Sequence, residues 1–358
     1  MSSLDERAFE RLQNSKNQSQ SLLDEMISKF EVTAEDVAHI ADQRFIYRDV
    51  FIDGQLTVVV GRAGAGKTTI MYFVCAAIKL HHPEKEVIYV NADINAEQMK
   101  RDYERASKAG FRLLCPDAKA GGSMRAVVEY LEGLASSEGD LSHIVIVLDT
   151  LKKCVSVINK TPLAEFMKLV RRLVNRGATV FMLGHCNKFK DHEGWPIYEG
   201  CGDVRNDVDA LAFLIHAPAD FGKLQTSLYW NDEDGPPEAK RRGANKPITW
   251  EIDTENGMTV TEVGEWIDTK ALAEEKRELL QTQDVVLTIA TALQKNSSGL
   301  NQGELVERCP GFGQKKVVEI LNRYAGEFWD VQSGGEKNRK IYTIRKDANL
   351  PKPRMKKW

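Results

Sequence analysis

Six cysteines, Cys75, Cys115, Cys154, Cys186, Cys201 and Cys309, are scattered through the 358 residues with no C-x-x-C pair among them. That spacing argues against a zinc ribbon or a disulfide framework and for reduced thiols. No apolar run approaches the roughly 18–20 residues needed to span a bilayer. The first twenty residues (MSSLDERAFERLQNSKNQSQ) contain acids and lack an apolar signal core. These absences lead to the expectation of a cytoplasmic chain with no membrane partner. No internal repeat is evident.

What is present describes an ordinary globular chain: 42% hydrophobic and 28% charged residues. The length suits one large domain and one smaller one. The net charge of −3 conceals an asymmetry. From Gly311 to Trp358, twelve Lys/Arg face five Asp/Glu, a net of +7, so the remaining 310 residues carry −10. A basic C-terminal portion on an acidic body points to a polyanionic partner.

The strongest motif lies at 61–68, Gly-Arg-Ala-Gly-Ala-Gly-Lys-Thr, a full match to G-x-x-x-x-G-K-[ST]. A buried-strand pattern (55–60) precedes it and an apolar helix pattern (67–80) follows. Gly61, Gly64 and Gly66 allow a tightly wrapped backbone whose N–H groups, with those of Arg62, Ala63, Ala65 and Thr69, point at phosphate oxygens. The helix N-terminus adds unpaired donors and partial positive charge. Lys67 is expected on the β- and γ-phosphates and the Thr68 hydroxyl on Mg²⁺. The loop therefore predicts a nucleoside triphosphate with Mg²⁺, and by itself suits a kinase, a GTPase or a motor.

Strand and helix patterns alternate around this loop, as a mostly parallel sheet covered by helices on both faces requires. Strands are expected at 55–60, 86–92, 143–149, 178–184 and 208–216, with helices at 67–80, 96–109, 122–136 and 162–176. Shorter strands at 225–231, 247–253 and 257–263 read as antiparallel additions at one edge. Residues 1–45 read as a helical, partly flexible segment, with a Gln/Asn/Ser-rich stretch at 13–21 that has little to bury. A charged linking helix is expected at 267–283. Beyond it, helices at 284–294, 301–308 and 313–325 and a hairpin tipped by Ser333-Gly334-Gly335 describe a winged helix over 284–346, followed by a basic tail, 347–358. Its candidate recognition helix carries Gln314, Lys315, Lys316, Asn322 and Arg323; its wing carries Lys337, Asn338, Arg339 and Lys340. Duplex DNA is the expected partner, with a replication protein as the alternative.

The strand at 143–149 is apolar until Asp149, the position of a Mg²⁺-holding carboxylate. The next acid at a strand end is Asp93, in Tyr89-Val90-Asn91-Ala92-Asp93. At this point the chain resembles the RecA/DnaB group of ATPases, and within it the RepA-like replicative helicases of plasmids and phages. The resemblance implies a RecA-like domain over 46–266 and makes Asp93 the general base, where the group usually has Glu. It places His185, in Leu183-Gly184-His185-Cys186-Asn187-Lys188, at the γ-phosphate sensor. The stretch Gly202-Asp203-Val204-Arg205-Asn206-Asp207-Val208-Asp209-Ala210 is similar to the strand entry that follows in that group. Lys240-Arg241-Arg242 resembles its K-x-R element, which implies Arg242 as an arginine finger for a neighbouring subunit and Lys240 as its companion. It further implies that 151–161 and 188–201 face a central channel. There Lys152, Lys188 and Lys190 would track the phosphates of single-stranded DNA while Phe189, Trp195 and Tyr198 stack on bases. The function implied is a ring-forming, ATP-driven DNA helicase or translocase in mobile-element replication, with a hexamer as the expected assembly. An ATP-switched DNA-binding or helicase-loading factor is the alternative.

Overall fold

The computed structural model describes residues 3–34, 44–120, 122–200, 203–218, 222–230, 235–241, 243–255, 258–334, 339–348 and 350–351. Helix α1 (Ser3–Phe30) opens the chain and passes through the polar stretch at 13–21. A helix needs only its own backbone bonds, and pairs such as Gln20 Nε2 to Asp24 Oδ1 (2.8 Å, one turn on) add local support. Its described side chains are exposed, among them Leu22, Leu23, Met26, Ile27 and Phe30.

Next come β1 (Phe45–Tyr47), β2 (Phe51–Ile52), β3 (Leu56–Gly61), α2 (Lys67–His81), β4 (Glu86–Asn91), α3 (Ala96–Ala109), β5 (Arg112–Leu114) and α4 (Met124–Ser136). They are followed by β6 (Ile144–Asp149), α5 (Leu151–Cys154), α6 (Lys160–Asn175), β7 (Thr179–Lys190), β8 (Pro196–Tyr198), α7 (Asp203–Asp207) and β9 (Ala210–Pro218). The large sheet has the order β12-β11-β10-β9-β3-β7-β6-β4-β5, where β10 is Lys223–Tyr229, β11 Ile248–Asp253 and β12 Thr259–Glu262. From β5 to β9 the strands are parallel; β10, β11 and β12 extend the sheet antiparallel, the edge addition expected from the sequence.

The period of two along each strand explains why helices cover both faces. Leu56, Val58, Val60, Ile146, Leu148, Val180 and Met182 pack on one side with Leu163, Phe166, Met167, Val170 and Leu173 of α6. Val59, Val145, Val147, Phe181 and Leu183 face the other side, against Ile70, Met71, Val74, Cys75 and Ile78 of α2. Burying each of these large side chains contributes about 1.5–3 kcal/mol. The α/β class with a mostly parallel sheet is therefore as the sequence pattern predicted.

The C-terminal part contains α8 (Thr269–Gln294), β13 (Leu300–Asn301), α9 (Gln302–Glu307), α10 (Gln314–Arg323), β14 (Trp329–Gly334) and β15 (Arg339–Ile344). Its three strands pair antiparallel in the order β13-β15-β14. Val285, Ile289, Leu293, Leu305, Val317, Ile320, Leu321, Trp329 and Tyr342 form its own apolar cluster. Asn301 and Glu304 close a reciprocal cap on α9. One expectation is corrected here. The helices at 267–283 and 284–294 are one continuous helix, because neither glycine nor proline interrupts Thr269–Gln294 where the charged half gives way to the apolar half.

A second correction concerns 188–201, expected as a channel loop. β7 runs on to Lys190 and pairs antiparallel with β8, so residues 188–198 form a hairpin. Trp195 and Tyr198, expected to stack on bases, are buried. The Trp195 ring meets that of Tyr229 edge-on at 5.6 Å, and Lys270 Nζ lies 4.4 Å from its centroid. Asp191 Oδ1 accepts from the N–H groups of Glu193 and Trp195, which shapes the turn. Phe189 alone of the three is exposed, at 81%. The other expected loop, 151–161, is partly helical: α5 occupies its start and α6 begins at Lys160.

Candidate functional site

Parallel strands deliver their carboxyl ends to one edge, and there the chemistry collects. In register across the sheet, Gly61 of β3 pairs with His185 of β7, Asp149 of β6 with Leu183 of β7, and Asn91 of β4 with Asp149. The result is a pocket of about 340 Å³ bordered by Ala63 to Thr69, Asn91, Asp93, Asp149, Thr150 and His185. Its far wall is Leu224, Ile252, Thr254 and Met258 from the antiparallel extension.

The glycines are required by geometry. Gly64 and Gly66 have φ of 79° and 81°, in the left-handed region. A Cβ on Gly66 would also lie 2.3 Å from Ile252 Cδ1, and one on Gly61 would lie 2.8 Å from the Leu214 carbonyl oxygen. The side chain of Ala65 is packed in the core, so it can meet a ligand only through its backbone. α2 starts directly at Lys67, with Gly66 as its cap and no side chain on its first donors.

Lys67 is 8% exposed, and its Nζ donates to the carbonyls of Gly61 (2.9 Å) and Arg62 (3.1 Å). Burial lowers its pKa, a shift partly opposed by the charge of Asp149. Thr68 Oγ1 donates to Asp149 Oδ2 at 2.6 Å, and Tyr89 OH donates to the same oxygen at 2.8 Å. Burial raises the Asp149 pKa, against the opposing effect of those two hydrogen bonds. A second chain of bonds runs to the end of β4: Tyr72 OH donates to Asp102 Oδ2, Asn91 Nδ2 donates to Tyr72 OH, and the N–H of Asp93 donates to Asn91 Oδ1. The Asp93 carboxylate is 60% exposed at the pocket rim, 3.9 Å from Lys153 Nζ. The pKa of His185 is lowered by burial first and by Lys67 and Lys152 next, which keeps the ring neutral at neutral pH. Its neighbour Cys186 has its thiol pushed up to about 12 by burial, which makes it an inert packing group.

These residues fit a magnesium-bound triphosphate. His185 Nε2 and Thr150 Oγ1 are buried, border the pocket and have no partner among the described residues, which leaves them for an external polar ligand. Thr68 and Asp149 would supply oxygens to a Mg²⁺ shell that the phosphates would complete. When bound, the ion neutralises charge on the phosphates. Lys67 and the loop N–H groups would hold phosphate oxygens.

Asp149 also has a stability cost. A carboxyl whose folded pKa lies above its unfolded one makes the native state bind more protons, so stability falls as pH rises between the two values. Both of its hydrogen bonds go to one oxygen, which an amide carbonyl can replace. Asp149→Asn is therefore expected to raise the melting temperature of the nucleotide-free protein at about pH 7. The gain should vanish near pH 3, below the ordinary carboxyl range of about 3.9. Thermal scans across that range test it; a lower melting temperature at neutral pH would overturn it.

Other expected site residues are placed elsewhere. Arg242 and Gly202 lie outside the described residues, as do Cys201, Lys337, Asn338 and the tail from 352. Lys240 Nζ donates to the carbonyls of Arg205 (2.8 Å), Asn206 (3.2 Å) and Val208 (2.7 Å), so this ammonium holds the end of α7 on its own chain. Its backbone pairs with Leu211, near the start of β9 and away from the phosphate loop. Lys152 and Lys188 are exposed, while Lys190 lies 3.8 Å from Glu274. On α10, Lys315 is exposed, but Glu319 pairs with both Lys316 (3.5 Å) and Arg323 (2.9 Å). Arg339 is exposed at the start of β15.

Tyr72, Tyr89, Asn91 and Thr150 are site residues that the sequence reading does not single out. Asn91 and Tyr89 stand on the strand whose end it does recognise, two and four residues before Asp93. The available signal is the presence of polar residues inside an otherwise apolar buried strand.

Residues 23–191 match the family model described as AAA domain, a stretch that contains Lys67, Asp93, Asp149 and His185. This stretch is a P-loop ATPase domain. No curated protein matches the chain. Among solved structures, the chain is similar to the flagellar accessory protein FlaH from Methanocaldococcus jannaschii, with 12% identity, a TM-score of 0.39 and coverage of 58% of this chain and 90% of that one. It is also similar to a second solved structure, described as an ATPase domain, with 12% identity, a TM-score of 0.39 and coverage of 59% and 86%. At that level of likeness the fold assignment rests on the strand order and register given above.

Proposed function

We propose that this chain hydrolyses ATP as a ring-forming motor on DNA, a helicase or translocase of the RepA-like kind serving replication of a plasmid, phage or other mobile element. The observation that carries this reading is one pocket joining Lys67, Thr68 and Asp149 with Asp93 and His185 at its rim. A nucleotide store needs only the first three. Asp93 would orient the attacking water, and neutral His185 would donate a hydrogen bond where the γ-phosphate lies. Arg242 would serve as the arginine finger of a neighbouring subunit, without Lys240 beside it. The exposed apolar stripe of α1 (Leu22, Met26, Phe30 and Leu23, Ile27) supports assembly with further copies of the chain, a hexamer in this reading. The order α8-β13-α9-α10-β14-β15 with β15 between β13 and β14 supports a winged helix, with Lys315 and Arg339 toward duplex DNA or a replication protein.

The expected result is ATP turnover stimulated at least about tenfold by single-stranded DNA, with six-membered rings in electron micrographs with a non-hydrolysable analogue. A monomer with DNA-indifferent turnover would sink the motor. The second reading, an ATP-switched DNA-binding or helicase-loading factor, gains support from Lys240 being bonded to its own chain. Under it, Arg242→Ala leaves turnover unchanged; under the motor reading turnover collapses while nucleotide affinity remains.

A further inference from the structure

Beside the nucleotide pocket lies a second opening of about 780 Å³, bordered by Arg62, Lys152, Lys188, Phe189 and Glu199. It adjoins a narrower cleft of about 270 Å³ that shares Arg62 and His216 with it and ends on α8. The α8 wall is formed by Lys270, Ala273, Glu274 and Arg277, whose i, i+3, i+4, i+7 spacing puts all four on one helix face. Lys190 of the β7–β8 hairpin completes it. Across the two openings six full cations face two carboxylates, Glu199 and Glu274, although the first 310 residues are net negative. Glu274 is 3.8 Å from both Lys190 and Lys270.

The α8 wall is firmly anchored. Lys276 Nζ donates to the Pro218 carbonyl at 2.5 Å, Thr269 Oγ1 to that of Ile215 at 2.8 Å, and Asp268 caps the helix start while accepting from Tyr229 OH. The roof is the phosphate loop itself. Arg62 donates from its guanidinium to the Lys188 carbonyl at 3.0 Å, and its own carbonyl accepts from Lys67.

We infer that α8 is part of the nucleic-acid track: the backbone of a single strand passes from Lys152 and Lys188 under Arg62 into the α8 cleft, where Lys190, Lys270 and Arg277 hold successive phosphates. The inference rests on the reading of this chain as a DNA-dependent ATPase and extends its contact surface from the hairpin to a helix. Exposed Phe189 at the mouth offers a ring face that only unpaired bases can use. Backbone cations together with an aromatic face are the sequence-tolerant chemistry of single-strand binding.

A charge series at the exposed Arg277 tests it, read by fluorescence anisotropy of a labelled oligothymidylate of roughly thirty residues over a range of salt. Arg277→Gln should weaken binding about three- to tenfold and reduce the salt slope by about 0.7, the loss of one phosphate contact. Arg277→Glu should weaken it further, and Arg277→Lys should stay within about twofold of the parent. Equal affinity across the series, while Lys188→Gln binds more weakly, overturns the α8 track and leaves the DNA-motor reading standing. If the parent protein does not bind the oligomer, both fall. Equally tight, equally Arg277-dependent binding of a duplex overturns the single-strand assignment.

Discussion

Lys67→Ala is expected to lower ATP turnover by about a hundred- to a thousandfold, the usual loss when a preorganised donor to developing phosphate charge is removed. The structure explains why so much rests on one ammonium. It is 8% exposed, and two carbonyls of its own loop hold it in place before any ligand arrives. Little reorganisation is left for the moment of reaction. The depression of its pKa by burial is partly offset by Asp149, so the charge a phosphate needs is retained. Steady-state phosphate release and nucleotide titration of the variant check the expectation. Turnover within about threefold of the parent would mean that this pocket is not the hydrolytic site.

The second large effect is one of stability. Trp329 is fully buried, its Nε1 donates to the Leu321 carbonyl at 2.9 Å, and its ring meets those of Phe328 and Tyr324 at 5.9 and 6.4 Å. Trp329→Ala removes that packing and is expected to cost about 3–5 kcal/mol. In a unit of this size the loss should lower the melting temperature by on the order of 10 °C or more. The apolar cluster around Trp329 shares no member with the two clusters that flank the large sheet. The proposed division into an ATPase domain and a C-terminal domain therefore requires the loss to stay local, with ATP turnover within about twofold of the parent. Calorimetry should show one early transition shift while the other stays in place. A single transition moving as a whole would argue that the two parts unfold together.

Much of this architecture is legible in pattern alone. β3, β4, β6 and β9 fall within two residues of their expected ends, and α3 at its expected ends, because strand period and helix caps are local properties. The phosphate loop is equally legible, since its spacing is dictated by backbone conformation at Gly64 and Gly66. The buried tyrosines are not. Tyr72 and Tyr89 read as ordinary core residues until α2 and β4 come together and their hydroxyls meet Asp102 and Asp149. The hairpin at 188–198 departs from expectation for a related reason. Its polar sequence suits a solvated loop, yet β8 gives β7 a partner and α8 covers Trp195.

The local commitments are written in short stretches of residues: an anion-binding loop between strand and helix, apolar strands buried on both faces, a carboxylate at a strand end and a basic C-terminal stretch. These depend on a few neighbouring residues and on backbone sterics. Which distant side chains share an oxygen, a cavity or a charge is set instead by the assembled fold. Thr68 and Tyr89 converge on one oxygen of Asp149, Lys240 closes on its own α7, and Arg277 lies on the same cleft as Arg62. Those meetings depend on strand order and helix placement, which arise from packing the whole core and are not encoded in any one segment.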